Sequence, residues 1–160
     1  MNVTTVPTPA GPFTVVVDTD GAVVAAGFTA DTGALLPGVP LVETKQSPVA
    51  AAVRSYLDGD LTALDDVPVR QRAGGEFLSH AWEVLRQVKP GEPITYTEFA
   101  ERAGRPAAVR AAAQACARNA VALFVPCHRV IRTDRTLGGY RWGLPVKEWL
   151  LAHESPMRNA

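Results

Sequence analysis

The chain has 160 residues, 47% hydrophobic and 20% charged, with sixteen basic and sixteen acidic side chains that cancel. That length can bury the core of one domain or two small ones, and the ordinary composition excludes a disordered, fibrous or repeat protein. No apolar run reaches the length of a membrane span, and the opening "MNVTTVPTPAGP" has neither a basic nor an apolar leader region, so a cytoplasmic location without membrane contact is expected.

The zero net charge hides a division. Residues 1–66 hold eight acids and two bases, whereas residues 67–160 hold eight acids and fourteen bases. Thirteen of the sixteen bases are arginine, which suits bidentate contact with phosphate and base edges. A solvated basic surface explains the skew equally well, so charge alone decides nothing.

The first part predicts a small α+β unit. "FTVVVD" and "AVVAAGF" are β-rich runs joined by "TDG", a hairpin signal, and "VPLVE" supplies a third strand. Ser47 caps a helix with Pro48 in its first turn, Val49, Val53, Tyr56 and Leu57 recur at helical spacing, and Gly59 ends it. None of these residues carries recognisable chemistry, so the unit reads as a scaffold. "DDVPVRQRAGG" reads as a linker, which places a boundary between residues 1–70 and 71–160.

The second part opens with a helix over "EFLSHAWEVLRQV", with Phe77, Ala81, Val84, Leu85 and Val88 on its apolar face, stopped by "KPGEP". Two helical segments follow, "TEFAERA" and "AAVRAAAQACA", joined by Gly104-Arg105-Pro106 in the outline of a helix-turn-helix. From Ala107 to Ala117 nearly every side chain is small, and Arg110 is the long exception. Such a helix either packs closely on a neighbour or enters a narrow groove with Arg110 as a probe, and composition leaves both open. An apolar run, "VALFV", then reads as a buried strand ending at Pro126. A loop, "TDRTLGGYRWG", with a hairpin turn at its glycine pair leads to a last helix, "PVKEWLLAHE", lined by Val146, Trp149, Leu150 and His153.

At the end of the apolar run stands "PCHR". Cys127 and Cys116 are the only cysteines, at a spacing that fits neither a disulfide framework nor a zinc site. A neutral thiol is a weak nucleophile, and His128 could take its proton, directly or through a water, if a carboxylate such as Glu154 held the ring. The plain alternative is an inert buried cysteine beside a turn histidine.

The residues around the motif decide between the two. "PCHRV", preceded by "RAAAQACARNAVALFV" and followed by "LGGYRWG" and "KEWLLAHE", closely resembles the O6-alkylguanine-DNA alkyltransferases, also called methylated-DNA–protein-cysteine methyltransferases. The resemblance is dense over residues 76–155 and holds only in outline before them. It implies an α+β fold: a ribonuclease H-like antiparallel sheet with a helix, then a mainly helical, winged-helix-like helix-turn-helix domain that binds DNA and accepts the alkyl group.

The resemblance further implies that Cys127 takes the alkyl group from O6 of guanine, once and irreversibly. His128 would deprotonate it through a water, and Glu154 would orient the histidine. Asn119, eight residues before the cysteine, would brace the turn, and Tyr96 would crowd the flipped nucleotide and donate a proton toward the departing purine. Arg110 would fill the hole left by the extruded base. Ala107 and Ala113 would lie against DNA, with Arg118 as a phosphate contact. Tyr140, Arg141, Val130 and Cys116 would form the base pocket.

Duplex DNA containing O6-alkylguanine, met through the minor groove, is the implied partner, and the protein is expected to act as a monomer. No cysteine precedes position 116 and no histidine precedes 80, so neither the zinc site of some relatives nor any other cofactor is expected. Departures stand at Ala112-Ala113, Ala117-Arg118 and Arg141-Trp142, the last pair narrowing the pocket. Two rivals remain. Lesion-binding relatives that flip alkylated bases without repairing them lack the acceptor cysteine, which this chain has. A cysteine hydrolase would leave Arg110 and the slim helix unexplained.

Overall fold

The computed structural model describes residues 1–71 and 74–156. The chain divides into two compact units, residues 1–72 with 120–124, and residues 73–119 with 125–160.

In the first unit β1 (Asn2–Val6), β2 (Phe13–Val17) and β3 (Val23–Gly27) form an antiparallel meander. The sequence read β2 and β3 as the hairpin, and Asp18 closes it by accepting from the Asp20 and Ala22 amides at 2.9 and 3.0 Å. β1, missed in the threonine-rich opening, is central, with Val3 and Val6 buried. A one-turn helix, α1 (Thr32–Leu35), precedes β4 (Val42–Glu43), which joins the sheet parallel to β1 in the order β3-β2-β1-β4. α2 (Pro48–Leu57) begins as predicted: Ser47 Oγ accepts from the Ala50 amide at 3.0 Å, and Val49, Ala50, Val53 and Tyr56 are buried.

The predicted linker is not free chain. Val69 bridges Val23 at the sheet edge, the Val23 amide donates to Pro68, and Arg70 pairs with Asp18 and Asp20. Its residues 72 and 73 lie outside the described residues.

The run "VALFV" is also not a strand. Val121 makes one parallel bridge to Ala26, after which Leu123 turns the chain with φ +74°. A regular strand needs every residue extended, and a left-handed leucine ends it. All five residues are nonetheless buried, and the Phe124 ring stacks on Phe13 with centroids 6.2 Å apart. Apolarity here reports an anchor in the core of the first unit.

The second unit is mainly helical: α3 (Glu76–Arg86), α4 (Tyr96–Arg102), α5 (Val109–Ala117) and α6 (Leu144–Glu154). On α3 the buried face is Leu78, Ala81, Trp82, Val84 and Leu85. Phe77, expected there, is half-buried under the Arg105 guanidinium, 4.8 Å from its ring centre. The Trp82 indole instead reaches the Ala115 carbonyl at 2.9 Å, binding α3 to α5 through a gap that only small residues leave open. Ala112 and Ala115 are fully buried, so close packing accounts for part of the alanine content.

α4 starts with a capping box between Thr95 and Glu98, and Gly104, at φ +85°, makes the turn toward α5. β5 (Ile94–Thr95) pairs in parallel with β6 (Val130–Ile131). No hairpin forms at the glycine pair. The loop turns earlier, where the Arg132 amide donates to Thr136, and Gly138-Gly139 run without strand pairing.

Candidate active site

Cys127 opens a single 3-10 turn, Cys127–Arg129, between Pro126 and β6. In register, the parallel pairing of β6 with β5 sets Tyr96, the first residue of α4, opposite Arg132. Cys127 and Tyr96 nonetheless line one cavity of about 240 Å³ with Ala113, Cys116, Ala117, Gly139, Tyr140 and Arg141. Behind it, His128 is fully buried and its Nε2 meets Glu154 Oε2 at 2.9 Å.

Glu154 serves two partners. Arg129, also buried, donates from Nε to Oε1 and from Nη2 to Oε2, both at 2.9 Å, while Nη1 reaches the Val88 carbonyl at 2.7 Å. Burial alone would raise the Glu154 carboxyl, but the charges and hydrogen bonds of His128 and Arg129 outweigh it and hold the group well below the usual carboxylate range. Burial lowers the His128 imidazole, against the opposing pull of Glu154. The pair therefore rests as a neutral ring donating Nε2–H to a carboxylate. That tautomer leaves Nδ1 as the basic nitrogen, and it is buried without a hydrogen-bond partner.

The Cys127 thiol is raised by burial, against the Asn119 side chain, the Lys147 charge and the turn's own backbone, all of which favour the thiolate. At neutral pH it rests protonated and needs a base to react. Asn119 Nδ2 also donates to the Val125 carbonyl at 2.7 Å. Asn119 and Val125 are the residues at which the chain leaves and re-enters the second unit, so this bond closes the excursion at its base.

Two residues of the site escaped the sequence reading. Arg129 stands in the PCHR motif with no role assigned to it from the sequence. Lys147 likewise drew no expectation, yet it has no exposed surface. Its ammonium donates to the carbonyls of Val130, Leu137 and Gly139 at 2.8, 2.5 and 3.2 Å, so every proton is used and the loop before α6 is pinned to β6. On α6, Leu150 and His153 are buried as predicted, while Val146 and Trp149 are only half-buried.

The remaining expected residues fall in three places. Tyr140 and Cys116 line the cavity, and the Tyr140 hydroxyl is buried without a hydrogen-bond partner. Arg141 stands at the cavity with its guanidinium 4.5 Å over the Trp142 ring. Val130 is buried behind the turn, its carbonyl taken by Lys147. Ala107 lies in the turn before α5, Arg110 is exposed on the first turn of that helix, and Arg118 caps its far end. Arg118 and Arg105 share a second, open hollow with Phe77 and Gln114.

Tyr96 is pushed up to about 12, by burial first and then by the two thiols. Its hydroxyl stays protonated at neutral pH and can act as a donor.

Residues 76–156 match the family "6-O-methylguanine DNA methyltransferase, DNA binding domain", about half of the chain. The chain belongs to that family. Among its curated relatives, the bifunctional transcriptional activator/DNA repair enzyme Ada of Escherichia coli is 48% identical over 82 residues, 51% of this chain and 23% of Ada. The methylated-DNA–protein-cysteine methyltransferase of Shigella flexneri is 40% identical over 102 residues, 64% of this chain and 59% of that protein. The chain thus spans under two thirds of these relatives. Solved structures extend the likeness to the first unit: Mycobacterium tuberculosis OGT in complex with DNA superposes with TM-score 0.84 at 29% identity, covering 96% of this chain and 92% of that one. The Pyrococcus kodakaraensis O6-methylguanine-DNA methyltransferase shares the α+β fold with TM-score 0.72.

Proposed function

We propose that the protein repairs DNA by moving a methyl or larger alkyl group from O6 of guanine to Sγ of Cys127, once per molecule. The observation that carries this reading is the buried chain Arg129–Glu154–His128 placed directly behind a cavity thiol. His128 Nδ1 takes the thiol proton, directly or through a water. The sulfur then forms a C–S bond to the alkyl carbon as its bond to O6 breaks, and the electron pair passes into the purine. Tyr96 supplies a proton to the departing base. An ether carbon is a poor electrophile, so thiolate formation and proton donation must both contribute. The thioether cannot be reduced back, and the protein is spent.

The partner is duplex DNA. A base inside the stack hides its O6 group, and flipping it out costs a few kcal/mol. α5 is slim enough for the minor groove, with Ala107 and Ala113 against the backbone. Arg110 fills the vacated stack, Arg118 meets a phosphate, and Tyr140, Arg141, Val130 and Cys116 surround the base. The second unit performs binding and chemistry as a monomer, and the first is a scaffold.

Intact-mass analysis after incubation with an O6-methylguanine oligonucleotide tests the proposal. A gain of about 14 Da, mapped to Cys127 and stopping at one group per protein, is expected because the only well-placed nucleophile is consumed. Multiple turnovers, methylation at Cys116, or binding without transfer would overturn it.

A further inference from the structure

The turn that follows α3 touches the carboxylate end of this arrangement at two points. The Val88 carbonyl accepts Arg129 Nη1 at 2.7 Å. Three residues later Gly91, at φ +78°, lies so close to the end of α6 that a Cβ there would stand 2.8 Å from the Glu154 carbonyl oxygen and 3.2 Å from Pro156 Cδ. A carbon does not approach a backbone oxygen that closely without displacing it. Gly21 and Gly59 also have positive φ, but a Cβ at either meets nothing within 4 Å, so backbone conformation alone accounts for them. Gly91 has a second requirement, which is space. The turn around it is closed by the Val88 amide on Leu85 at 3.1 Å and the Glu92 amide on Lys89 at 3.2 Å.

We infer that the Val88–Gly91 turn is a positioning element for Glu154, with Gly91 as its point of contact. The turn holds Arg129 through the Val88 carbonyl and sets where the last turn of α6 stops through Gly91. Together these contacts place the carboxylate where His128 and Arg129 meet it at once. The inference rests on Cys127, His128 and Glu154 being the reactive centre. A methyl group at position 91 pushes against the backbone of Glu154 itself, so its side chain moves with it. His128 Nε2–H then loses its acceptor, and the tautomer that keeps Nδ1 basic is no longer selected.

The test compares Gly91→Ala with Gly21→Ala in the full chain. Both substitutions force alanine into a left-handed conformation, but only the first meets Glu154. Two quantities are read: the single-turnover methyl-transfer rate across pH, and the imidazole ¹⁵N shifts of His128, which report tautomer and protonation. Gly91→Ala is expected to transfer at least about tenfold more slowly than Gly21→Ala at neutral pH, with His128 shifted toward mixed tautomers and the final extent still one group per protein. Equal rates with an unchanged His128 spectrum would overturn the inference. Should Gly91→Ala not fold, Gly91→Asn carries the same Cβ but tolerates left-handed backbone, and the same comparison decides. If the unaltered protein transfers no methyl group, the repair reading fails, and the His128 spectrum alone then tests the placement of Glu154.

Discussion

Arg129 grips both carboxylate oxygens of Glu154, and one of those oxygens, Oε2, is the atom that meets His128. With the histidine neutral, its Nε2–H bond and the charge of the arginine together favour the ionised carboxylate. The arginine also relates stability to the proposed chemistry, since the contact that offsets a buried charge fixes the carboxylate oxygen that meets His128.

Removing that arginine should leave the charge of Glu154 in the interior without its cationic partner, while the neutral His128 ring still donates to Oε2. Arg129→Met is expected to destabilise the protein by about 3–5 kcal/mol, the usual result of breaking one side of a buried pair. Denaturant unfolding measures it. A loss no larger than that of a surface substitution would show that the pair is not held as described.

Lys147 should matter for reactivity beyond its packing. Lys147→Met keeps most of the volume but strips donors from three carbonyls and removes the positive charge that favours the Cys127 thiolate. Transfer at neutral pH is expected to slow by about tenfold or more, the equivalent of one lost charge-assisted hydrogen bond, with partial recovery as pH rises. Single-turnover rates across pH check this. A pH-independent loss would assign Lys147 to the loop fold alone.

Arg110 is exposed at the start of α5. Arg110→Ala should therefore change stability by no more than about 0.5 kcal/mol. Duplex repair should nevertheless slow severely, a short single strand should be affected less, and free O6-benzylguanine, if admitted to the pocket, least, because only the duplex requires full unstacking. Rates on the three substrates separate a wedge from a general cation. Equal losses on all three would place Arg110 in support of the active site instead.

Acid should destabilise the fold in two stages. The folded state lowers His128 below its usual 6.5, so the unfolded chain binds that proton more readily and stability falls as pH drops below that value. Glu154 is likewise lowered. Its contribution is complete above the usual carboxylate value of 4.5 and is lost as pH falls toward its folded value. Chemical denaturation at a series of pH values measures both stages, and His128→Asn should remove the upper one. A stability that is flat from neutral pH down to the carboxylate range would contradict the neutral, buried histidine.

The features legible in the sequence were those that neighbours along the chain determine. The Ser47 cap of α2 and the hairpin from β2 to β3 rest on side chains that satisfy backbone groups a few residues away, and the helices α3 to α6 with the Gly104 turn rest on local composition and the glycines and prolines that bound them. The PCHR motif and its surroundings likewise marked Cys127, His128 and Glu154 before their placement was known. Only the tertiary structure decided what distant contacts determine. β5 and β6 have two residues each, too short for any periodicity, yet their pairing ties the segment that enters α4 to the strand that follows the Cys127 turn. The run from Val121 to Val125 has the apolarity of a strand, but that signal measures burial and is silent about φ, so the left-handed Leu123 was invisible. Arg129 and Lys147 reverse the usual reading of a charged residue as exposed. Each is buried because its partners, Glu154 and Val88 for the arginine and three loop carbonyls for the lysine, arrive from other parts of the chain. A charge can leave water only when the fold supplies such partners, and no local stretch of sequence states that it will.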